Sequence, residues 1–246
     1  MFGLLKKKFY SHFPTAYTSA FMRLLYFRLL LKSLNFRAAL DAGCGTGLFS
    51  FYLAERFPEA HITGYDVRSE CINICRRNKI SKKIDNLTFE VVDLTELNEA
   101  EHYDFIFSID VMEHISQNIK VLQNIYHALL PGGIFYLAMP YEPGHQHLFP
   151  RKYFRRYIAW REKEHIGEQY SPKSITKMLS QIGFWVIESK YTFGFWGKLA
   201  WELDLLTEGV RILNRVFKPL LLICSHLDTL WKNGPGSYAI RVIARK

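Results

Sequence analysis

The chain has 246 residues and a mass of 28.9 kDa, which suits one α/β domain with insertions and a core of ordinary size. Its 32 Lys and Arg residues against 23 Asp and Glu residues give a net charge of +9, which favours anionic surroundings, either nucleic acid or a membrane face. The four cysteines contain no C-x-x-C pair, so the sequence indicates neither a disulfide framework nor a zinc site, and it predicts a cytoplasmic protein.

The first 36 residues are basic and aromatic. Three consecutive lysines, Lys6 to Lys8, precede an apolar run that ends at Leu31 and is interrupted by Arg23 and Arg28. The uninterrupted stretch is too short to span a bilayer, and no small-residue cleavage site indicates a signal peptide. Residues 1–35 are predicted to be helical, and a basic amphipathic element of this kind would also suit lipid headgroups.

The segment from Leu40 to Ser50 is predicted to form a strand end, a glycine turn and the start of a helix. Glycines at alternate positions, Gly43, Gly45 and Gly47, follow the acidic Asp41. They permit positive φ angles and remove the Cβ atoms that would keep a ligand from the backbone. The spacing differs from the G-x-G-x-x-G of a pyrophosphate loop, so it favours an uncharged or zwitterionic ligand at this strand end.

Further strands and helices are predicted along the chain beyond this turn. The strands are His61 to Asp66, Leu87 to Val92, Tyr103 to Ile109 and Ile134 to Met139, and the helices are Ser69 to Asn78 and Gln117 to Leu130. Asp41, Asp66, Asp93 and Asp110 then lie at successive strand ends. Because the carboxyl ends of parallel strands share one edge of a sheet, we expect these carboxylates along a single edge.

The last third of the chain carries two insertions. Residues 141–170 form a segment rich in aromatic and basic residues, here named the lid. Ser171 then caps a helix that runs from Pro172 to Ile182. Strands are predicted from Phe184 to Tyr191 and from Ser237 to Ala244, and between them residues 192–236 form an apolar insert, predicted as two amphipathic helices split by Pro219. The insert either covers the sheet edge, makes a dimer, encloses an apolar substrate or touches a bilayer.

The chain resembles the class I S-adenosylmethionine-dependent methyltransferases, whose first motif, D/E-x-G-x-G-x-G, is matched in full from Asp41 to Gly47. The likeness is close over residues 36–140. It implies an α/β fold with a Rossmann-like, seven-stranded, mostly parallel sheet and helices on both faces. It also implies an N-terminal helical cap at residues 1–35, with two helices across the cofactor site, and a methyltransferase domain at residues 36–246.

The cofactor that this resemblance implies is S-adenosylmethionine. A carboxylate at Asp66 can accept both ribose hydroxyls, although it could instead cap the next helix, where Ser69 competes. In the family an acid at the position of Asp93 meets the adenine amino group and the amide of Leu94 a ring nitrogen, while the alternative for Asp93 is a turn before Thr95. The full predicted cofactor set is Asp41, Gly43, Cys44, Gly45, Gly47, Asp66, Val67, Asp93, Leu94 and Ile109.

Candidates for catalysis and for acceptor binding follow the fourth and fifth strands. The catalytic candidates are His114, His145 and His147, and the substrate-binding candidates are Tyr141, His165 and Trp196. Asp110, Glu113 and His114 also resemble a cluster in ubiquinone-type O-methyltransferases that has been linked to a divalent cation. The alternative is that D-x-x-E-H marks the start of a helix. No bound metal is predicted.

The function expected from these features is methyl transfer to an apolar or lipid-like small molecule, with O-methylation favoured and with membrane association or a homodimer left open. A nucleic-acid methyltransferase is the first alternative, but Ser108 to Val111 stands where enzymes that methylate base amines carry a D/N-P-P-Y/F tetrad. A non-catalytic protein that binds S-adenosylmethionine is the second alternative, although the chain retains the full cofactor motif.

Overall fold

The computed structural model describes residues 18–141, 146–207 and 211–246, with the backbone alone at Arg211. Eight α-helices lie within these ranges: α1 Thr18–Leu31, α2 Leu48–Arg56, α3 Ser69–Lys82, α4 Asn118–Ala128, α5 Arg155–Glu164, α6 Pro172–Ile182, α7 Phe195–Thr207 and α8 Arg211–Leu230. The strands are β1 Ala38–Ala42, β2 His61–Asp66, β3 Leu87–Val91, β4 Tyr103–Ile109, β5 Leu129–Pro140, β6 Trp185–Thr192 and β7 Ala239–Arg245.

The strands form one seven-stranded sheet in the order β3-β2-β1-β4-β5-β7-β6. The first five strands pair in parallel, and β7 pairs antiparallel with both β5 and β6. Asp41 lies opposite Gly64, and Asp66 lies opposite Val91. The carboxyl ends of β1 to β4 therefore share one edge, as the sequence predicts.

Helices cover both faces of the sheet because each face carries its own apolar core. Phe27 of α1 packs against Phe105, Phe107 and Tyr136 on one face, where α2 and α3 also bury their apolar sides. The other face is covered by α4 and α6. A third core joins α1, α7 and α8. The fold confirms the predicted Rossmann-like α/β class.

Ser171 caps α6 as predicted: its side chain accepts from the backbone of Ser174, whose hydroxyl in turn accepts from the Ser171 amide. Among the helices that the structure describes, none has the length and apolar content needed to cross a bilayer. The predicted division into an N-terminal cap, a lid and an insert stays a prediction, and residues 1–17 lie outside the described ranges.

Two sequence-based boundaries are wrong by four residues or more. Helix α3 continues to Lys82 rather than Asn78, and it ends where Lys83 adopts φ 55°. Strand β5 begins at Leu129 rather than Ile134. The segment that includes Gly132 (φ 81°) does not precede the strand but lies inside it, at the point where the register between β4 and β5 shifts.

Pro219 does not split the insert, because it lies inside α8. The described part of the insert contains one helix that ends at Thr207 and one that begins at Arg211. A proline inside a helix costs about 3 kcal/mol, and the burial of the apolar Leu221 and Cys224 after it offsets part of that penalty.

Candidate cofactor and acceptor site

The glycine turn after β1 is held against the end of β2. The backbone amides of Gly43 and Cys44 both donate to the carbonyl oxygen of Tyr65, at 2.9 and 2.8 Å. Gly43 has φ 92°, and a Cβ atom there would lie 2.4 Å from the side chain of Val111. A Cβ atom on Gly47 (φ 81°) would lie 2.9 Å from the ring of Phe51. The turn therefore requires glycine and presents bare backbone at the edge of the sheet.

Asp41 lies beneath this turn rather than on its surface. The hydroxyl of Ser50 donates to its carboxylate at 2.5 Å, which ties the end of β1 to α2. Burial raises the pKa of Asp41 to about 7, although the hydrogen bonds from Ser50 act in the opposite direction. Asp41 supports the turn from below, and its predicted direct contact with the cofactor stays a prediction.

Asp66 faces the glycine turn from the end of β2. Its carboxylate accepts from the amide of Gly45 at 2.8 Å and from the amide of Arg68 at 3.0 Å, and the guanidinium of Arg68 donates at 3.0 and 3.2 Å. Burial alone would raise the pKa of Asp66, but the hydrogen bonds from Arg68 and Gly45 outweigh it and lower the pKa. An ionised carboxylate beside bare backbone suits a ribose, whose hydroxyls are donors.

The alternative role of Asp66 as a helix cap receives no support, because Arg68 occupies the N-cap position of α3 and Ser69 is already helical. Arg68 itself is a functional neighbour that sequence reasoning missed. Its side chain is 57% exposed while that of Asp66 is 7% exposed, so the guanidinium lies over the carboxylate on the solvent side. Val67 lies between them in sequence and is exposed.

Asp93 forms a turn with Thr95, which is the predicted alternative to a contact with adenine. Its Oδ1 accepts from the amide and the hydroxyl of Thr95, both at 2.8 Å, and these bonds lower its pKa. Leu94 is buried, and its carbonyl oxygen accepts from the side chain of Asn124 at 2.9 Å. The roles of Asp93 and Leu94 toward adenine stay predictions.

The end of β4 is joined to the N-terminal helix by a partly buried ion pair. Ile109 ends β4 and is buried, and Asp110 follows with φ 55°. The carboxylate of Asp110 accepts from Nη2 and Nε of Arg23, at 2.5 and 3.1 Å. The guanidinium also lies 4.7 Å from the ring centre of Phe193. Sequence reasoning missed this role, although Arg23 interrupts the apolar run of α1.

The cation cluster that the resemblance implies stays a prediction, and the structure groups its members differently. Asp110 is paired with Arg23, and ligand atoms of Glu113, His114 and His165 lie within 4.8 Å of one another instead. Nδ1 of His114 lies 2.9 Å from the carbonyl oxygen of Glu164. A carbonyl oxygen only accepts, so Nδ1 carries a proton and leaves Nε2 as the basic nitrogen of the neutral ring. One carboxylate and two imidazoles could hold a divalent cation.

The lid is fastened over this strand end by backbone contacts. The amide of Gly167 donates to the carbonyl oxygen of Glu113 at 2.8 Å. The rings of His114, Trp160 and His165 have centroids 5.0 to 6.4 Å apart. The structure thus brings together two of the predicted histidines and adds Trp160, which the sequence suggested for a membrane interface and not for this site.

A second group of predicted residues lies where the lid meets α7. Nδ1 of His147 lies 3.1 Å from Glu202, and its ring stacks on Phe154 at 4.7 Å. The fully buried carboxylate of Glu202 also accepts from the amides of Leu148 and Phe149 at 2.9 to 3.1 Å. Burial lowers the pKa of His147, although Glu202 opposes that shift. These hydrogen bonds of Glu202 hold the lid, and together they are here named the Glu202 tether.

The remaining predicted residues are placed as follows. Tyr141 packs its ring 5.4 Å from that of Tyr191, and Trp196 lies in the first turn of α7 with its ring 5.2 Å from that of Phe195. His145 lies outside the described residues. The catalytic and substrate-binding roles of these residues stay predictions.

Comparison with known proteins places this architecture in a family. The profile described as "Methyltransferase domain" matches residues 37–180. The chain is 32% identical over 148 residues to phosphoethanolamine N-methyltransferase 1 of Triticum aestivum, which covers 59% of this chain and 28% of that protein. It is 33% identical over 95 residues to malonyl-[acyl-carrier protein] O-methyltransferase of Bacillus anthracis, which covers 39% of this chain and 34% of that protein.

Solved structures agree on the fold. Phosphoethanolamine N-methyltransferase 2 of Haemonchus contortus, in complex with S-adenosyl-L-methionine, superposes with a TM-score of 0.62 at 20% identity, over 85% of this chain and 48% of that one. The chain thus spans about a third of the length of the two curated relatives described above. The family profile covers the glycine turn, Asp66 and Asp93. The chain belongs to the class I S-adenosylmethionine-dependent methyltransferases, and its cofactor is S-adenosylmethionine.

Proposed function

We propose that the protein transfers a methyl group to a small apolar or lipid-like molecule and that the acceptor atom is the oxygen of a hydroxylated aromatic or isoprenoid-type compound. The observation that carries this proposal is the position of the lid. It brings Trp160 and His165 to His114, directly after β4. An aromatic surface beside an imidazole suits an apolar ring that bears a hydroxyl.

The glycine turn and Asp66 fit the cofactor. Gly43 and Gly47 shape the turn, because a Cβ atom at these positions would collide with Val111 or Phe51, and the carboxylate of Asp66 is kept ionised by the groups around it. When bound, the cofactor supplies a sulfonium methyl group that passes in line to a nucleophilic atom. The chain has to align the two reactants, and alignment of this kind contributes about 7–11 kcal/mol.

His114 is proposed as the general base. Its Nδ1 is committed to the carbonyl oxygen of Glu164, so the ring is oriented and Nε2 can take the proton from an acceptor hydroxyl. A positioned base contributes about 10²–10⁴-fold in rate, which is less than alignment supplies. The lid is proposed to exclude water from the reacting atoms, and the Glu202 tether holds the lid in place.

The acceptor atom remains a proposal because the relatives include both an N-methyltransferase and an O-methyltransferase. A cytoplasmic location and a homodimer stay predictions. An amine acceptor would not require a proton to be removed by His114 in the same way, because a neutral amine already offers its lone pair. The two chemistries therefore differ in their dependence on this residue.

Mass spectrometry with methyl-deuterated S-adenosylmethionine tests the proposal. The chain is incubated with a prenylated catechol, with the same catechol lacking the prenyl chain, and with phosphoethanolamine. We expect label on the oxygen of the prenylated compound, with a lower KM than for the short one. Label on phosphoethanolamine alone, or a preference for the short compound, would contradict the proposed acceptor class while leaving the family assignment intact.

A further inference from the structure

Helix α8 presents a continuous apolar face to solvent. Ile212, Val216, Ile223 and Leu230 are 76%, 66%, 58% and 84% exposed, and Trp231 just after the helix is 62% exposed. These residues, with Leu213 and Leu220, are here named the α8 stripe. Their spacing of three, four or seven positions places them along one side of a helix of 20 residues, a length of about 30 Å.

The opposite side of α8 fixes this orientation. Leu221, Cys224 and Asp228 are buried against α1 and α7. The carboxylate of Asp228 accepts from the hydroxyl of Tyr26 at 2.6 Å and from the amides of Phe193 and Gly197, both at 2.9 Å. Rotation of the helix to bury the stripe would break these bonds inside the protein, which is unfavourable. The stripe therefore faces outward as a consequence of the fold.

The charged residues on the exposed part of α8 and just after it are basic. Arg215, Lys218 and Lys232 lie on or beside α8, and Asp228, which is buried, is the one acidic residue in the sequence from Arg211 to Lys232. An apolar helix face with basic neighbours and a terminal tryptophan is complementary to an anionic bilayer surface. A second copy of this chain, placed stripe to stripe, would bring the same positive charges together, so the charge pattern favours lipid over a dimer.

We propose that the α8 stripe docks the protein on an anionic lipid surface, with α8 parallel to the membrane plane and its apolar residues among the acyl chains near the headgroups. Exposed apolar area of this extent on a single helix indicates an interaction site. Basic residues near such a surface add electrostatic attraction to its anionic headgroups. The inference goes beyond the proposed reaction and does not depend on the identity of the methyl acceptor.

Sedimentation of the full chain with sucrose-loaded vesicles tests the proposal. The vesicles are phosphatidylcholine alone or phosphatidylcholine with 30% phosphatidylglycerol, about 30% being a usual anionic fraction for such tests. A stripe variant combines Ile212→Ser, Val216→Ser and Ile223→Ser. Its matched control combines Ile80→Ser, Trp185→Ser and Ile187→Ser, which are also exposed but lie on α3 and β6. Thermal unfolding with and without S-adenosylmethionine confirms that each variant is folded.

We expect the original chain and the control variant to sediment with the anionic vesicles, and the stripe variant to lose about tenfold or more of its partition coefficient. Charge reversal at Arg215 and Lys232 to Glu should weaken binding to anionic vesicles more than reversal at Lys173 and Lys177, which are exposed on α6. Both double variants change net charge equally, so a difference between them reports on position.

Three results would overturn the docking proposal. The stripe variant could bind vesicles as well as the original chain, or the control variant could lose binding equally. Alternatively, the original chain could ignore vesicles and form a dimer in analytical ultracentrifugation that the stripe variant does not form, which would make a second copy the occupant. S-adenosylmethionine binding is read in every case, so failure of docking and failure of methyl transfer are distinguishable.

Discussion

Arg23 of α1 and Asp110 after β4 form a two-point ion pair in which the arginine is 3% exposed and the aspartate 40% exposed. The desolvation of the guanidinium is offset by the carboxylate and by the ring of Phe193. The pair joins the N-terminal helix to the strand end that carries the proposed base. Because Asp110 is the exposed partner, solvent screens its contribution.

Asp110→Asn should therefore lower the free energy of unfolding by about 1–3 kcal/mol, less than the 3–5 kcal/mol typical of a fully buried pair. Arg23→Met should be the milder change of the two, because it removes the buried charge itself and leaves only the exposed carboxylate without its partner. Urea unfolding measures both, with Asp85→Asn at an exposed site as the control. A loss at Asp110 no larger than at Asp85 would show that the pair does not contribute to stability.

Asp41 should make stability depend on pH in the direction opposite to most carboxylates. Its pKa is raised by burial from 3.8 to about 7, so the folded chain holds this proton more tightly than the unfolded chain does. Stability from this group is then fully present below about pH 4 and is lost as the pH rises toward 7. One such proton gives a slope of at most about 1.4 kcal/mol per pH unit.

Asp41→Asn should flatten that slope. The test is the free energy of unfolding in urea between about pH 4.5 and pH 7.5, compared between the original chain and the variant. The variant should gain stability relative to the original chain as the pH rises. If the difference between the two proteins is constant across this range, Asp41 does not retain its proton in the folded state.

The Glu202 tether should contribute strongly to stability because its carboxylate is fully buried. Glu202→Ala leaves the amides of Leu148 and Phe149 without their acceptor, and each unsatisfied buried group costs about 1–3 kcal/mol. We expect a loss of about 2–5 kcal/mol in urea unfolding and faster proteolysis within the lid. Glu162→Ala, at an exposed lid site, should change stability by less than about 0.5 kcal/mol. Equal losses at the two sites would contradict the tether.

His114→Ala should reduce kcat by about 10²-fold or more while leaving the affinity for S-adenosylmethionine unchanged, because the proposed base acts on the acceptor. His61→Ala, at the amino end of β2 on the other edge of the sheet, is the control and should not alter kcat. Steady-state kinetics with the prenylated catechol as acceptor separates kcat from KM. A fall in kcat below about threefold would rule out His114 as the base.

The sequence predicts the parts of this fold that local pattern controls. The glycine turn, the acidic strand ends and the capped helix at Ser171 each depend on residues close in sequence, so the pattern of residues is enough to identify them. Arg23, Glu202 and Trp160 cannot be placed in this way. Their partners Asp110, Leu148 and His114 are distant in the chain, and only the packing of α1, α7 and the lid brings them together.

Pro219 shows that local pattern can also predict a helix break that the fold does not contain. Local rules place a helix end at a proline, yet contacts of α8 with α1 and α7 keep the helix continuous through it. The candidate cation cluster shows a related limit, since the resemblance suggests Asp110 beside Glu113 and His114, whereas the fold brings His165 of the lid to these two residues. In both cases tertiary contacts outweigh local pattern.

The central claim is that the glycine turn and Asp66 bind S-adenosylmethionine, and isothermal titration calorimetry tests it most directly. We expect saturable heat at one site per chain for the original protein. Asp66→Ala should weaken binding by about 1.5–3 kcal/mol, the range for hydrogen bonds to a charged group, and Glu70→Ala on the exposed start of α3 should not. Absence of heat with S-adenosylmethionine and its demethylated product, or equal affinity in Asp66→Ala, would contradict the account.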